Sequence, residues 1–181
     1  MENVILIGAI TPSQKDLDAS EYLKELKFLT DTAGGSVVKV FKQRIHRINS
    51  KTFLGKGKIL GISDFIKTHN IDTAIFDDEL SPSQQKNLEQ ILLCKIIDRT
   101  YLILSIFALH AKTAVSKIQV ELAQYEYLLP RLTNMWTHLS KQKGGIGMRG
   151  PGEKEIETDR RIIRQQIGKL KKRLQKIDKQ M

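Results

Sequence analysis

Several kinds of residue are scarce in this 181-residue chain, and each scarcity excludes a class of protein. Cys94 is the only cysteine, so a disulfide-stabilised secreted fold is excluded. Four prolines and twelve glycines are too few for a disordered chain, and aromatic residues make up only 6%. No apolar run reaches the roughly 18 residues of a membrane span, and the start has no basic signal-peptide segment. The sequence predicts a globular, cytoplasmic protein with a core of Leu, Ile and Val.

Positive charge is concentrated in the second half of the chain. Residues 1–100 contain 14 Lys and Arg against 13 Asp and Glu, a net charge of +1. Residues 101–181 contain 16 against 7, a net charge of +9. This asymmetry indicates a polyanionic partner, either nucleic acid or an anionic membrane surface. A basic helix face that is merely solvated is the alternative.

The first hundred residues alternate between short apolar runs and segments of helical period. The runs at residues 4–7, 36–41, 73–76 and 95–98 predict buried strands. Strands that alternate with helices imply right-handed crossovers and a parallel sheet. We therefore expect residues 1–100 to form an α/β subdomain, with a small parallel four-stranded sheet and helices on both faces.

Two similar tetrapeptides predict the starts of two helices. Thr11-Pro12-Ser13-Gln14 and Ser81-Pro82-Ser83-Gln84 each place a hydroxyl at the N-cap, a proline at the first helical position and a glutamine where a capping box needs it. Gly34 and Gly35 predict the end of the first of these helices. A further short helix is predicted over residues 57–69, with isoleucines on one face.

Two segments of the α/β subdomain could bind a nucleotide. A Gly-Lys-Gly-Lys segment opens a helix, where backbone N–H groups can cradle a phosphate, but it is not a Walker A sequence. A run of three acids follows a strand, where Mg²⁺ and ligands bind in open α/β sheets. An ordinary loop and a helix-stabilising acidic cluster are the alternatives. No metal or catalytic constellation is evident. The nucleotide-binding candidates are Gly55, Lys56, Gly57, Lys58, Asp77 and Asp78.

The second half carries two apolar seams with coiled-coil spacing. The first runs from Val115 to Leu139 and the second from Ile156 to Met181. Because only folding back lets the seams bury each other, residues 101–181 predict a long antiparallel α-helical hairpin. Arms of about 40 Å would place the connecting loop ~40 Å along the arm from a root packed on the α/β subdomain. Pro130 lies within the first seam and predicts a kink.

Residues 143–152 form the glycine-rich loop that joins these arms, with five glycines in ten residues. A tight turn needs only one or two glycines, so the others indicate close approach of an external partner to the backbone. Ile146 and Met148 offer apolar surface for contact with bases. The formal G-x-G-x-x-G pattern follows a helix rather than a strand and precedes a glutamate-rich helix start, which disfavours a dinucleotide site.

A basic helical arm with a glycine-rich loop is typical of a probe for structured RNA, since cations along the arm can contact phosphates. A coiled coil that binds a protein partner is the alternative. The RNA-binding candidates are Lys141, Lys143, Gly144, Gly145, Gly147, Arg149, Gly150, Arg160, Arg161, Arg164, Lys171, Lys172 and Arg173.

The glycine-rich segment 144–153 and the segment 157–161, with others upstream, resemble the HflX family of GTPases. The resemblance rests mainly on residues 144–153 and 157–161, covers most of the chain from about residue 50 onward, and is looser before that. Further matching segments are residues 55–58, 76–84, 97–100, 120–124, 127–132 and 135–139.

The resemblance implies an N-terminal α/β subdomain, a helical hairpin and a following GTPase domain that binds GTP and Mg²⁺. It also implies binding to the rRNA of the large ribosomal subunit, with the glycine-rich loop at the peptidyl-transferase region, and a stress-linked role in splitting or rescuing stalled ribosomes. No G-x-x-x-x-G-K-[ST] pattern occurs in these 181 residues. We therefore expect the ribosome-binding N-terminal region of such a GTPase, without its GTPase domain and without enzymatic activity.

Overall fold

The computed structural model describes residues 1–132, 146 and 160–179. The described part contains four strands and six α-helices. In chain order they are β1 (Glu2–Ile10), α1 (Asp16–Thr32), β2 (Gly35–Arg44), α2 (Lys56–His69), β3 (Thr73–Phe76), α3 (Pro82–Leu92), β4 (Lys95–Asp98), α4 (Arg99–His110), α5 (Ala114–Leu128), a 3-10 turn (Leu129–Arg131) and α6 (Arg160–Asp178).

The strands form one sheet in the order β2-β1-β3-β4, and every pairing is parallel. The predicted four-stranded parallel sheet is therefore confirmed. β1 lies inside the sheet, with Val4 opposite both Val37 and Thr73. Both faces of β1 are covered by helices, which explains why residues 4–7 form a continuous apolar run rather than an alternating one.

Alternate residues of β1 point into two separate cores. Ile5 and Ile7 pack with apolar residues of α2 and α3 on one face. Val4 and Leu6 pack with residues of α1, α4 and α5 on the other face. α1, which connects β1 to β2, lies on one face of the sheet. α2 and α3, which connect β2 to β3 and β3 to β4, lie on the opposite face. The direction of the connections therefore changes between the neighbouring strands β1 and β3.

The two cap tetrapeptides behave differently. Ser81 and Gln84 form the predicted capping box of α3, with the Gln84 N–H donating to Ser81 Oγ over 3.1 Å. At Thr11 the same motif closes only one turn, in which the Gln14 N–H donates to the Thr11 carbonyl over 3.0 Å. Lys15 then returns to extended backbone, and α1 begins at Asp16. The prediction of a helix start at Pro12 is therefore wrong.

A helix that the sequence patterns did not predict follows β4 directly. Asp98 caps α4, and Tyr101 and Leu102 of this helix are fully buried on the sheet. Tyr127 and Leu128, at the end of α5, belong to the same core. The predicted subdomain boundary at residues 100 and 101 falls in the first turn of α4, so the α/β base extends further than residues 1–100.

The described parts of the two predicted seams pack together, between α5 and α6. Ile118 and Tyr125 of α5 share one apolar cluster with Ile163 and Leu170 of α6. α5 ends at Leu128, and the 3-10 turn after it contains the proline that was expected to kink the helix. The course of the chain from residue 133 to 145 and from 147 to 159 lies outside the described residues.

Ile146 lies against the α/β base and not ~40 Å away from it. Its side chain is 3% exposed and belongs to the core of β1 and α1. Its N–H donates to Glu2 Oε2 over 2.6 Å. Its Cδ1 lies 2.8 Å from where a Cβ on Gly35 would be, so the absence of a side chain on Gly35 makes room for it. The expected position of the loop, ~40 Å along the arm from a root on the base, is therefore wrong for Ile146.

Candidate nucleic-acid interface

α6 has one narrow apolar stripe and a wide basic surface. Ile163 and Leu170 are 1% and 9% exposed, and they pack on α5. Ile167, Leu174 and Ile177 are partly buried in the same cluster. These positions step by three and four residues, as a helix that packs along one side requires.

The remaining surface of α6 is dominated by cations. The helix contains eight Lys and Arg residues and one acid, Asp178, which gives it a net charge of +7. Self-repulsion among these charges disfavours the compact state, and a polyanion bound along the helix would relieve it. The basic residues, all exposed, are Arg160, Arg161, Arg164, Lys169, Lys171, Lys172, Arg173 and Lys176.

Lys171 pairs within the chain. Its Nζ lies 2.8 Å from Glu126 Oε1 on α5, and both side chains are about half exposed. Surface pairs of this kind contribute about 0–1 kcal/mol. Lys171 therefore helps to hold α6 on α5, a role that the sequence did not predict for it. Lys172 and Arg173 follow on the same helix and remain candidates for binding phosphates.

Seven of the predicted RNA-binding residues belong to the part of the chain that the structure does not describe. They are Lys141, Lys143, Gly144, Gly145, Gly147, Arg149 and Gly150. The described candidates Arg160, Arg161, Arg164, Lys171, Lys172 and Arg173 lie together on α6.

A buried polar network, not predicted from the sequence, joins the α/β base to the end of α5. Arg131 is 9% exposed, and its Nη2 and Nη1 donate to the carbonyls of Leu80 and Tyr127 over 2.8 and 2.9 Å. Its Nε donates to Gln85 Oε1 over 3.2 Å, and its guanidinium lies 3.8 Å from the centre of the Tyr127 ring. An arginine one residue after Pro130 was the only sequence signal.

Asp98 lies at the centre of this network. Its carboxylate accepts the N–H groups of Tyr101 over 3.0 Å and Leu80 over 3.1 Å. Burial raises the pKa of Asp98, against the opposing effect of these hydrogen bonds and of Arg131. Burial also raises the pKa of Tyr127, and the Asp98 charge raises it further. Asp98, Gln85 and Tyr127 are buried, so we assign the network to positioning α5 on the base.

The acids proposed for nucleotide binding are held by an arginine. Arg99 Nη2 lies 2.7 Å from Asp77 Oδ1, and Arg99 Nη1 lies 3.2 Å from Glu25 on α1. Burial and the charge of Asp77 raise the pKa of Asp78, while Arg99 lowers it. Arg99 thus links the carboxyl end of β3 to α1. In open α/β sheets, nucleotides bind at the carboxyl ends of the strands. This geometry disfavours Mg²⁺ at Asp77.

The Gly-Lys-Gly-Lys segment starts α2, as predicted. Gly55 is the N-cap, and no side chain caps the helix. A Cβ at Gly55 or Gly57 would meet no atom within 4 Å, so neither glycine is required by local packing. Lys58 turns toward the ring of Phe41, with Nζ 5.5 Å from its centre. Across the described residues, no group of three His, Cys, Asp or Glu side chains is placed to hold a metal ion.

No helix in the described ranges is long and apolar enough to cross a membrane.

Two family models match the chain. The model described as GTP-binding GTPase N-terminal matches residues 20–108, and the model described as GTP-binding GTPase Middle Region matches residues 110–181. The border between the two models falls in the last turn of α4, so most of that helix belongs with the base on which it packs.

Among similar proteins, the GTPase HflX of Flavobacterium psychrophilum is 59% identical over 179 residues, which are 99% of this chain and 43% of that protein. The GTPase HflX of Escherichia coli is 42% identical over 99% of this chain and 41% of that protein. The chain therefore spans less than half the length of these relatives.

A GTP-binding protein from the archaeon Sulfolobus solfataricus, solved in complex with GDP, has a similar structure. The TM-score is 0.66 with 24% identity, over 98% of this chain and 46% of that chain. At this identity the similarity shows a shared fold.

Proposed function

Because the chain belongs to the HflX family of GTPases, we propose that it is the region of such a protein that binds the rRNA of the large ribosomal subunit. In this proposal the whole protein binds GTP and Mg²⁺ and works in the cytoplasm, where it splits or rescues stalled ribosomes under stress. The 181 residues themselves bind RNA and catalyse no reaction.

The observation that carries this proposal is the contrast between the two sides of α6. Its apolar side packs on α5, and of its cations Lys171 adds an ion pair with Glu126 of that helix. Arg164, Lys172 and Arg173 are exposed, and the helix as a whole carries a net charge of +7. Regularly spaced phosphates are the surface that such a helix complements best.

We extend the proposal to residues 133–159, which would complete a long antiparallel hairpin with α5 and α6. The glycine-rich loop of this hairpin would reach the peptidyl-transferase region. Ile146 is buried against the base, so entry of the loop into a ribosomal cavity requires this contact to be released. The hydrogen bond from its N–H to Glu2 would be lost in the same step.

Two alternatives from the sequence have less support. An independent nucleotide site in the base is disfavoured because Arg99 occupies Asp77. A coiled-coil adaptor for a protein partner is disfavoured because the seam of α6 already packs on α5.

Neutralising the basic surface of α6 tests the proposal. The variant Lys172→Gln/Arg173→Gln/Lys176→Gln should bind deproteinised large-subunit rRNA more weakly in filter-binding assays. The slope of log affinity against log salt should become shallower by roughly 0.7–0.9 for each phosphate contact that is lost. Lys15→Gln/Lys24→Gln/Lys27→Gln is the matched control, because it removes the same charge from exposed positions on and just before α1. Equal losses in both variants would mean that only net charge matters, and the proposal would fail.

A further inference from the structure

A second basic surface lies on the α/β base, at the free edge of the sheet. β2 is the edge strand of the order β2-β1-β3-β4. The segment from residue 39 to 58, which includes half of β2 and the start of α2, contains seven Lys and Arg residues and no Asp or Glu. The net charge of residues 1–100 is only +1, because acids elsewhere in the base balance the positive charge of this segment.

Cations on one face of β2 are matched by groups on α1. Arg44 forms an ion pair with Asp16, and Lys42 Nζ donates to Ser20 Oγ over 2.9 Å. These two side chains have partners within the chain, so they are not the basis of a further site.

Cations on the opposite face of β2 lie over aromatic rings. Lys39 Nζ lies 5.0 Å from the centre of the Phe41 ring and 4.8 Å from that of Phe65. Lys58 Nζ lies 5.5 Å from the Phe41 ring. Phe41 and Phe65 meet edge to face at 5.3 Å, and they are partly buried against the core. The rings hold both ammonium groups at the surface without neutralising their charge.

The contacts continue to an exposed histidine. The His69 ring stacks on Phe65 at a centroid distance of 3.9 Å and an interplanar angle of 16°. Its Nδ1 lies 3.1 Å from the Phe65 carbonyl, which fixes the ring at the end of α2. We call Lys39, Phe41, Lys58, Phe65 and His69 the aromatic–basic strip. Asp64 is the one acid between residues 39 and 69.

We propose that the aromatic–basic strip is a second RNA-binding surface, separate from α6. The ammonium groups of Lys39 and Lys58 contact phosphates, and the His69 ring stacks on an unpaired base. Two cations in a segment whose sequence contains one acid favour a polyanion. A flat ring next to them selects a nucleobase, because base–aromatic stacking accepts any base. The inference deepens the proposed function by giving the base its own contact with RNA.

Two pairs of matched variants test this proposal in the full 181-residue chain. Lys39→Gln/Lys58→Gln is compared with Lys24→Gln/Lys27→Gln, which removes the same charge from α1. His69→Ala is compared with His110→Ala, since His110 is also exposed at the end of a helix, with Nδ1 2.9 Å from the carbonyl four residues earlier. Binding is measured with fluorescein-labelled single-stranded RNA of mixed sequence and with deproteinised large-subunit rRNA. Circular dichroism confirms folding of each variant.

We expect the strip lysine variant to lose roughly tenfold in affinity at 0.1 M salt, with a salt slope shallower by about 1.4 for two single-strand contacts. His69→Ala should lose about fivefold or more, while His110→Ala stays close to wild type. Losses no larger than those of the α1 and His110 controls would overturn the proposal, even if the variants of α6 bind weakly. Conversely, weak binding by the strip variants together with normal binding by the α6 variants would support the strip and count against the proposed role of α6.

Discussion

At the residue scale, the buried Asp98 side chain stabilises two neighbouring segments through hydrogen bonds to their backbone. It caps α4 and also accepts the N–H of Leu80. Asp98→Ala removes the cap and leaves a buried N–H without a partner, so we expect a loss of about 2–4 kcal/mol in the free energy of unfolding. Ser81→Ala, at the capping box of α3, should cost only about 1 kcal/mol. Urea denaturation of both variants measures the difference, and equal losses would contradict the central role of Asp98.

The Asp98 carboxyl also predicts a pH dependence with a definite sign. Burial raises its pKa above the unfolded value of 3.8. As the pH rises through 3.8, the unfolded chain releases this proton before the native chain does, so the contribution of Asp98 to stability falls. The difference in unfolding free energy between the wild type and Asp98→Ala should therefore be larger at pH 3.5 than at pH 7. A difference that grows with pH would mean that the hydrogen bonds outweigh burial.

At the scale of elements, two adjacent isoleucines separate the two sides of α6. Ile163 is 1% exposed in the cluster with α5, whereas Ile162 is 41% exposed. Ile163→Ala should lower the free energy of unfolding by about 2–5 kcal/mol. Ile162→Ala should change it by less than about 0.5 kcal/mol, as is usual for surface positions. Thermal melting of the two variants checks the register of α6 on α5, and a reversed order would show that the helix packs through another side.

Variants of the ion pair between Lys171 of α6 and Glu126 of α5 distinguish an effect on stability from an effect on RNA binding. Lys171→Glu places a second carboxylate beside Glu126 and should destabilise the chain by about 0.5–1 kcal/mol. Lys172→Glu faces no such partner among the described residues and should melt like the wild type, although both variants bind RNA more weakly. Adding Glu126→Lys to Lys171→Glu should restore the melting temperature but not the RNA affinity. Recovery of both properties would mean that Lys171 acts on RNA only through folding.

The sequence predicted the elements whose signal is local and missed those that depend on tertiary packing. The four strands could be predicted because short apolar runs bounded by turns have few other interpretations. The start of α1 could not be predicted, because the segments at Thr11 and Ser81 carry the same capping signal. Only the conformation of the chain after Gln14 decides whether that signal begins a helix or closes a single turn. α4 is apolar on most of its circumference, so its sequence has little helical periodicity. The contact between Ile146 and Gly35 joins residues far apart in the chain, and no pattern predicts it.

At the scale of the molecule, the sequence predicted which basic residues belong to the candidate site but not where they lie relative to the base. The excess of positive charge in the second half does lie on one exposed helix, which the spacing of the seam allowed us to predict. The position of that helix beside the base depends on Tyr127 and Arg131, whose buried contacts reach residues about 40–50 positions earlier in the chain. The basic surface on β2 was hidden because acids in the same half of the chain balance its charge.

The central claim is that this chain recognises the large ribosomal subunit, and co-sedimentation with isolated subunits tests it most directly. Purified chain is mixed with large or small subunits at about 0.15 M salt, where surface charges further apart than ~8 Å are largely screened. The pellet is then assayed for the chain. We predict that it pellets with large subunits, and that the Lys172→Gln/Arg173→Gln/Lys176→Gln variant does so far less. Equal recovery with both subunits, or with neither, would contradict the claim.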